Sequence, residues 1–428
     1  METDVLVVGS YSREHAIAWK LKQSPRVGKI YIAPGNGGTQ FIGENVPIGA
    51  MKFEELAQFA EEKKIGLTVC STDDPLAAGI VDFFNSRGLR IWGPTKAAAQ
   101  IESSKAFSKQ LMAEGKIPTA EFKVCTSAEK ALAYVQLHGV PIVIKASGLA
   151  LGKGVYICRT IEEAEKAIND IMVTRIFGEA GFEVIIEKYL EGPEISIHVL
   201  SDGLGFVLFP ASQDHKRALE NDEGANTGGM GAITPVPWVT DEHMAQIEHE
   251  VIVPTFEALK KKGIRYQGIL YPGLIMTLEG PRVLEYNARF GDPECQVYMR
   301  LLKSDLLDLL DASIDGTVSS IKKSIQWNRG YAVNIVLASS GYPGEYKKGL
   351  PIEGIELAEK IPTVVVFHAG TAYRDGRLVT SGGRVLGISA TGSTLKEALA
   401  RAYQAADKIQ FEGKYFRRDI GAKSLVTR

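Results

Sequence analysis

The chain has 428 residues, of which 45% are hydrophobic, and its 49 Lys and Arg residues nearly balance 51 Asp and Glu residues. This length predicts about two to four structural units. The net charge of −2 argues against bulk electrostatic binding to nucleic acid or acidic membranes. The 4 cysteines are scattered and form no CxxC pair, which favours free thiols in a reducing compartment over a disulfide framework or a zinc site.

The N-terminus is acidic and leads directly into an apolar segment, so it has no pattern of a signal peptide. No apolar run is long enough to cross a membrane as a helix. We therefore expect a cytoplasmic α/β protein of several domains, with small-molecule partners rather than nucleic acid or a membrane.

The N-terminal part of the chain alternates between apolar strands and amphipathic helices. Strands are predicted over 4–9, 29–33, 67–70 and 89–92, and helices over 13–23, 53–63 and 77–87. This alternation predicts a doubly wound parallel sheet that binds a ligand where its strands end. Gly9, Arg13, Asn36 and Asp73 lie at those ends and are candidate binding residues, with ordinary loop roles as the alternative.

A helical stretch over 95–115, which carries Lys105, leads into a second α/β unit with strands at 121–125, 142–145 and 155–158. Lys145 ends one of these strands and is a candidate phosphate ligand. The stretch from 146 to 154 between two strands contains Gly148, Gly152, Lys153 and Gly154. Its backbone N–H groups and ammonium could cover phosphates as a mobile flap, and a plain hairpin tip is the alternative.

The strand predicted over 183–190 could pair its backbone with an adenine, and Glu187 or Glu194 could hold ribose hydroxyl groups. A further strand is predicted over 194–200, with His198 in the core. The loop 221–231 is rich in glycine near its end, which indicates a close approach of its backbone to a ligand.

The segment 283–296 has the strongest chemical pattern in the chain. It begins like a strand, so Glu285, Asn287 and Arg289 should project to one side. A carboxylate and an amide oxygen suit Mg²⁺, and a guanidinium can hold a carboxylate or phosphate. A solvated edge strand with a salt bridge is the alternative, but the following turn adds Asp292 and Glu294.

The C-terminal part has little titratable chemistry. A helix is predicted over 301–312, then strands over 331–337, 363–368, 377–380 and 384–389, and a helix over 395–408. This order predicts a compact α+β domain whose sheet is mainly antiparallel. The segment 416–421 offers no acid, base or metal cluster, so we expect it to anchor this domain against the rest of the chain.

Several of these segments together resemble the ATP-grasp superfamily and, within it, the glycinamide ribonucleotide synthetase family. The matching segments are 148–154, 213–217, 226–231, 285–294, 380–386 and 418–421. The resemblance implies an N-terminal doubly wound parallel-sheet domain, a central ATP-grasp fold and a C-terminal α+β domain. The implied boundaries are 1–103, 104–191 for the small subdomain with the flap, 192–326 for the large subdomain, and 327–428.

The resemblance also implies an activity and a site. ATP would convert glycine to glycyl phosphate, and the amine of 5-phosphoribosylamine would then displace phosphate to form an amide. Glu285 and Asn287 would hold Mg²⁺, with Mn²⁺ as an alternative, and Asp214, Lys216 and Arg289 would surround the glycine and the transferred phosphoryl group. The implied nucleotide ligands are Lys105, Lys145, Gly148, Gly152, Lys153, Gly154, Glu187, Tyr189, Leu190 and Glu194, and the implied substrate ligands are Gly9, Arg13, Asn36, Asp73, Arg289, Pro293 and Glu294.

The chain departs from the family pattern at several positions. Tyr11 and Ser12 replace two glycines of the first loop, and Asp73 replaces a glutamate. Ser147 and Ala225 replace an aspartate and a proline elsewhere. The first departures fall on the predicted amine pocket, so a related ligase with another amine substrate stays open as an alternative. A nucleotide-binding protein without catalysis is a further alternative, against which the intact Glu285, Asn287 and Lys145 argue. We expect a monomer or a weak homodimer.

Overall fold

The N-terminal part forms the parallel sheet that the sequence predicts. The structure, a computed structural model, describes residues 2–149 and 154–425. All strand pairs of this sheet are parallel. The strand order across the sheet is Glu44–Asn45, Val27–Pro34, Thr3–Gly9, Leu67–Cys70 and Ile91–Trp92. The central strand Thr3–Gly9 is apolar and buried over its last five residues, as expected of a strand covered on both faces.

The helices of this part are shorter than the sequence patterns suggested. They are Ser12–Leu21, Phe53–Glu62, Asp73–Ala78, Ile80–Ser86, Lys96–Ser103 and Lys105–Gly115. The helix predicted over 77–87 is divided at Gly79, which has a left-handed φ of +96°. The stretch predicted over 95–115 is divided at Ser104, where the backbone is extended and the hydroxyl accepts a hydrogen bond from the Phe107 N–H. Lys105 therefore begins a helix.

A small antiparallel sheet follows. Its strand order is Phe122–Cys125, Val184–Lys188, Ile142–Ala146 and Val155–Cys158. The helices Ala128–His138 and Ile161–Ile168 pack on this sheet and close a separate apolar core. The strand Ile142–Ala146 is buried throughout, which places Lys145 at its end inside the molecule.

A second antiparallel sheet carries the segment with the strongest chemical pattern. Its long strand Gln267–Thr277 lies between shorter strands and pairs with the adjacent strand Gly280–Asn287. The other strands of this sheet are Glu194–Ser196, Val199–Asp202 and Phe206–Leu208. The single strand predicted over 194–200 is thus two strands, and His198 between them is buried as expected.

The C-terminal sheet is antiparallel, as predicted, and includes two strands from the centre of the chain. Its order is Gln213–Asp214, Gly231–Thr234, Tyr331–Ser339, Arg384–Gly392 and Val364–His368, with Lys414–Tyr415 also paired to Tyr331–Ser339. The helix Leu395–Lys408 covers this sheet and buries a row of alanine and leucine residues. Because Asp214 lies in the edge strand, this sheet holds part of the predicted site in place.

The helix predicted over 301–312 is wrong in its position. The chain forms Glu294–Leu301 and Leu306–Asp315 instead. The first helix ends at Leu301, and the backbone becomes extended at Leu302. The Asp305 carboxylate then accepts a hydrogen bond of 2.9 Å from the Leu307 N–H. Asp305 is therefore the N-cap of a new helix.

The other α-helices and strand pairs are short. They are the helices Asp241–Ile247, Val253–Lys261, Val318–Ile321, Ile355–Glu359 and Ala422–Leu425, and the strand pairs Arg217–Leu219 with Glu223–Asn226 and Thr371–Arg374 with Arg377–Thr380. All four cysteines are buried free thiols. Across residues 2–149 and 154–425, no helix is both long and apolar enough to cross a membrane.

The C-terminal tail is joined to the central part of the chain through Arg417. This side chain is 1% exposed and contacts Asp419 at 2.7 Å and Asp222 at 3.0 Å. It also donates a hydrogen bond of 3.0 Å to the carbonyl of Arg217. These contacts provide the anchor that the sequence analysis expects of segment 416–421.

We predict that Arg417→Ala lowers the free energy of unfolding by about 2 kcal/mol, because several charge-assisted hydrogen bonds are lost at once. Arg418→Ala is the matched control, since Arg418 forms an exposed pair with Asp407 and should cost less than about 1 kcal/mol. Urea denaturation measures both values. Equal losses in the two variants would contradict the anchoring role of Arg417.

Candidate active site

The chemistry-bearing segments meet in one large cleft of about 1970 Å³. The ends of the N-terminal parallel strands form one wall, and the small antiparallel sheet forms another. The strand Gly280–Asn287 and loops of the C-terminal part complete it. Residues predicted from the sequence that line this cleft are Arg13, Asn36, Asp73, Lys105, Lys145, Gly154, Glu187, Tyr189, Leu190, Glu194, Asp214, Lys216, Glu285, Asn287, Arg289 and Glu294.

Glu285 is the best-defined anionic group in the cleft. Its Oε1 lies 3.0 Å from Nζ of Lys216. The positive charge of Lys216, with Lys145 and Lys105 also contributing, lowers the pKa of Glu285 to about 2 although burial opposes this shift. The carboxylate is therefore ionised at neutral pH and can serve as an oxygen ligand for a cation.

Asn287 and Arg289 follow Glu285 at the end of the strand. The strand ends at Asn287, so Arg289 lies in the next turn and not on the strand as the sequence pattern suggested. Its guanidinium donates to Asn287 Oδ1 at 3.2 Å and forms an ion pair of 2.8 Å with Glu102. Arg289 Nε is buried and has no hydrogen-bond partner among the described residues, which leaves a donor for a ligand.

Two lysines and a glutamate form a buried group beneath the small sheet. Lys145 Nζ donates to Glu187 Oε2 at 3.0 Å and to the carbonyl of Leu284 at 3.0 Å. Lys109 Nζ lies 3.2 Å from Glu187 Oε1. The Lys105 ammonium donates to the Gly148 carbonyl at 3.3 Å, and burial lowers the pKa of Lys105. This side of the cleft is strongly cationic.

The two ends of the segment predicted to be a flap lie at this cationic side, since Lys105 contacts Gly148 and Gly154 contacts Ala146, the residue after Lys145. Gly148 packs against Ala180, where a Cβ on the glycine would come within 2.7 Å of the alanine Cβ. Gly154 accepts a hydrogen bond from the Ala146 N–H. The predicted ligands Gly152 and Lys153 lie outside the described residues.

Asp214 and Glu294 are two carboxylates of the cleft that lie close enough for the charge of Glu294 to act on Asp214. Burial raises the pKa of Asp214 well above its usual range, and the negative charge of Glu294 adds to this shift. Glu294 accepts a hydrogen bond of 3.0 Å from the Ser196 hydroxyl. A ligand with positive charge would relieve the repulsion between these two carboxylates.

Gly229 allows the glycine-rich loop to reach this pair. Its φ is +110°, and a Cβ there would lie 2.4 Å from Pro293 Cδ and 2.6 Å from Asp214 Oδ1. Only glycine satisfies both the backbone conformation and the close approach. The backbone of this loop closely approaches Pro293 and Asp214, and its approach to a ligand stays a prediction.

Arg13 and Asp73 face the cleft from the parallel sheet. Burial would lower the pKa of Arg13, but the charges of Glu14 and Asp292 raise it above its usual value. Arg13 Nε lies 2.6 Å from Glu14 Oε1. Although burial acts in the opposite direction, Arg289 and Arg13 lower the pKa of Asp73. Asp73 is thus an ionised carboxylate close to two guanidinium groups.

Gly9 and Asn36 have clear structural roles. Gly9 has a φ of +135°, and a Cβ there would lie 2.5 Å from the Glu14 side chain. The Asn36 amide donates to the carbonyls of Ser10 and His368, both at 2.9 Å, and its oxygen accepts from two backbone N–H groups. Asn36 therefore shapes the cleft wall through its side chain, and its role in binding stays a prediction.

Sequence reasoning missed three charged residues of the cleft. Glu102 orients Arg289, and its other oxygen accepts from the Ala288 N–H at 2.8 Å. Lys109 approaches Glu187, as described above. Arg384 donates to the carbonyls of Asp292 at 2.6 Å and Gly228 at 2.7 Å. Only Arg384 had a sequence signal, since it lies within the matching segment 380–386.

Comparison with known proteins agrees with this architecture. Three family models match in order: the phosphoribosylglycinamide synthetase N domain over 3–102, its ATP-grasp (A) domain over 103–295 and its C domain over 332–423. A phosphoribosylamine–glycine ligase of Halalkalibacterium halodurans is 47% identical over 99% of this chain and 98% of its own length. A ligase of the same name from Caldanaerobacter subterraneus is 48% identical over 98% of this chain and 99% of its own.

Solved structures agree as well. The crystal structure of phosphoribosylamine–glycine ligase from Thermotoga maritima is 34% identical, covers 98% of this chain and 100% of its own, and has a TM-score of 0.85. The fold and the cleft therefore define an ATP-grasp enzyme, which confirms the predicted fold class. More specifically, the chain belongs to the phosphoribosylglycinamide synthetase family.

We predict that Gly229→Ala destabilises the protein by about 3 kcal/mol or more, because a left-handed backbone strain and an atomic overlap add together. Gly263→Ala is the control: it has a φ of +74° with no atom near the added Cβ, so only the strain of about 1–2 kcal/mol applies. Urea denaturation of both variants measures the difference. A similar loss in both would show that Pro293 and Asp214 move aside.

Proposed function

We propose that this chain joins glycine to 5-phosphoribosylamine at the expense of ATP, giving glycinamide ribonucleotide, ADP and phosphate in purine biosynthesis. The observation that carries the proposal is the ionised Glu285 at the centre of a cationic cleft, in a chain that matches this family of ligases along its length. The reaction forms glycyl phosphate first, and the amine then displaces phosphate to form the amide. Electrostatic stabilisation and positioning suffice for such a phosphoryl transfer.

ATP binds between the small sheet and the strand Gly280–Asn287 in this proposal. Lys105, Lys145 and Gly154, which line the cleft, contact its phosphates, together with Gly148 at the start of the proposed flap. Gly152 and Lys153 belong to the same proposed flap. The base and ribose lie along Glu187, Tyr189, Leu190 and Glu194, which line the same side of the cleft.

Glu285 and Asn287 are proposed to hold Mg²⁺. The fit is good, because Glu285 is ionised and both residues offer the hard oxygen ligands that Mg²⁺ prefers. These oxygens accept hydrogen bonds from Lys216 and Arg289, and both cations would have to move aside for Mg²⁺ to bind. The bound ion would neutralise the charge on the phosphates. Mn²⁺ has similar ligand preferences and is a proposed substitute.

The glycine site is proposed around Asp214, Lys216, Arg289, Pro293 and Glu294. Arg289 has an unused buried donor that suits a carboxylate. The paired carboxylates of Asp214 and Glu294 suit an ammonium group. Lys216 is paired with Glu285 at 3.0 Å and is near enough to Asp214 for that carboxylate to act on its charge. Its ammonium is therefore suited to stabilise negative charge on the transferred phosphoryl group.

The amine substrate is proposed to lie at the ends of the parallel strands, near Gly9, Arg13, Asn36 and Asp73. Asp73 is ionised and can accept hydrogen bonds from ribose hydroxyl groups. A second candidate function is a related ligase that uses another amine. Tyr11 and the shorter Asp73 favour it, because Tyr11 is 51% exposed and lines the cleft at this end.

The remaining proposals concern the whole molecule. We propose that it acts on small molecules in the cytoplasm, without nucleic acid or membrane partners, as a monomer or weak homodimer. The domain boundaries 103/104, 191/192 and 326/327 likewise stand as proposals. Strands 213–214 and 231–234 from the proposed large subdomain complete the C-terminal sheet, so that last boundary would divide a shared sheet.

We predict that Glu285→Gln reduces Mg²⁺-dependent phosphate release with ATP, glycine and 5-phosphoribosylamine by about 100-fold or more, because the charged metal ligand is lost. Glu279→Gln is the control, since Glu279 lies in the exposed turn before the same strand. Circular dichroism checks that both variants fold. Activity of Glu285→Gln close to that of the control would contradict the metal site.

The amine substrate can be tested by restoring the family pattern at Tyr11→Gly, Ser12→Gly and Asp73→Glu in one variant. We expect the native protein to use 5-phosphoribosylamine with a kcat/KM within about tenfold of the restored protein, because Asp73 keeps the carboxylate and loses only one methylene. Steady-state assays with each protein measure this ratio. Turnover by the restored protein alone would favour the related ligase.

A further inference from the structure

Lys109 has no part in the function proposed above, yet it lies in the wall of the cleft. Its side chain is 3% exposed, and its ammonium is 3.2 Å from Glu187 Oε1. The ammonium also donates a hydrogen bond of 2.6 Å to the Thr119 hydroxyl and lies 5.4 Å from the centre of the Phe122 ring. A lysine is seldom buried to this degree without a charged partner.

Glu187 is the group that Lys109 faces, and Lys145 faces the same carboxylate from the other side. Lys145 donates a hydrogen bond to Oε2 at 3.0 Å. The contact of Lys109 with Oε1 is an ion pair without an aligned hydrogen bond, so Oε1 has no hydrogen-bond partner among the described residues. The single negative charge of Glu187 therefore faces two ammonium groups, and its Oε1 can still accept a hydrogen bond.

Both lysines also connect to the strand that carries Glu285. The Thr119 hydroxyl donates to the Val283 carbonyl at 2.6 Å, and Lys145 donates to the Leu284 carbonyl at 3.0 Å. Lys109 is thus fixed through Thr119 to a rigid strand. It cannot follow a ligand into the cleft without losing these contacts.

Lys145 is placed differently, because the proposed function assigns it to the phosphates of ATP. When Lys145 turns to a phosphate, Glu187 loses its hydrogen-bonded cation. A buried carboxylate without any counter-charge is strongly disfavoured. Lys109, which stays in place, can supply that counter-charge.

We propose that Lys109 is a positioning residue that keeps Glu187 ionised and oriented while Lys145 contacts ATP, so that Glu187 accepts a hydrogen bond from the exocyclic amine of adenine. An ionised carboxylate only accepts hydrogen bonds. It therefore favours the amine of adenine over the oxygen at the same position of hypoxanthine or guanine. The inference rests on the proposed function for its placement of ATP.

The charge state of Lys109 is sensitive to its surroundings. Burial lowers the pKa of Lys109 to about 8, while the Glu187 carboxylate acts in the opposite direction and the Lys145 ammonium adds to the lowering. Glu187 and Lys145 are the charged groups that face Lys109 from the two neighbouring strands. The ammonium therefore begins to lose its proton at mildly alkaline pH, and its hold on Glu187 should weaken there.

The test compares Lys109→Met with Lys20→Met, using ATP and inosine triphosphate as the nucleotides. Lys20 is also a buried lysine, bonded to the Leu302 carbonyl outside the cleft, so it controls for the loss of a buried ammonium. For Lys109→Met we expect the KM for ATP to rise about tenfold and the preference for ATP over inosine triphosphate to fall about tenfold, with kcat within about twofold. If Lys109→Met matches Lys20→Met in KM and preference, the proposal is overturned.

A second measurement does not depend on the folding of Lys109→Met. The KM of the unaltered protein for ATP should rise between about pH 7 and about pH 9 as Lys109 loses its proton, while Lys109→Arg, which stays charged, should show a flatter profile. Identical profiles would overturn the proposal.

Glu187→Gln and Lys145→Met separate this inference from the proposed function. If both variants weaken ATP binding and Lys109→Met does not, only the role of Lys109 is wrong. If neither variant affects ATP binding, the nucleotide lies elsewhere and the proposed placement of ATP fails together with this inference.

Discussion

The structure of the cleft depends on charge compensation. Cations from different parts of the chain face one space, and several of them are paired with carboxylates. Such pairs are Lys216 with Glu285, Lys145 with Glu187, Arg289 with Glu102 and Arg13 with Glu14. Without these carboxylates, like charges in a poorly solvated space would repel one another strongly. With them, the protein can hold a cationic site ready for anionic substrates.

The same pairing joins the separate parts of the fold. Glu102 belongs to a helix after the parallel sheet, whereas its partner Arg289 follows a strand of the large antiparallel sheet. Asp292 accepts from the backbone N–H of Arg13 and lies 3.6 Å from Arg384 in the C-terminal sheet. These contacts lie in the cleft wall, so residues that face a ligand are also residues that join the parts of the fold.

Sequence reasoning found the residues whose signals are local. Glu285 and Asn287 were predicted because alternation along one strand places them on the same face, and the strand does run to Asn287. The parallel sheet was predicted because buried strands and helices alternate over a long stretch. The predicted helix bounds were wrong where a single capping residue decides them. Ser104 and Asp305 each begin a new helix, although the apolar residues around them follow an uninterrupted helical pattern.

Residues that act through distant partners were not visible in the sequence. Glu102 and Lys109 lie on helices with ordinary amphipathic patterns, and only the tertiary fold brings them to Arg289 and Glu187. Asn36 was predicted as a ligand, but its amide is engaged by four hydrogen bonds within the protein. A polar side chain after a strand can shape a site or bind in it, and residue type alone does not separate the two roles.

The backbone of the first loop accommodates Tyr11 where the family pattern has glycine. Tyr11 has a φ of −97° and an extended ψ, a conformation that any residue adopts, so the loop does not require glycine there. Its N–H donates to the Glu14 carboxylate at 3.0 Å, and Glu14 also contacts Arg13 and Thr72. Glu14 therefore sets the path of this loop. The extended backbone at Tyr11 does not depend on residue type, so an effect of Tyr11 on amine selectivity must come from its ring, which lines the cleft.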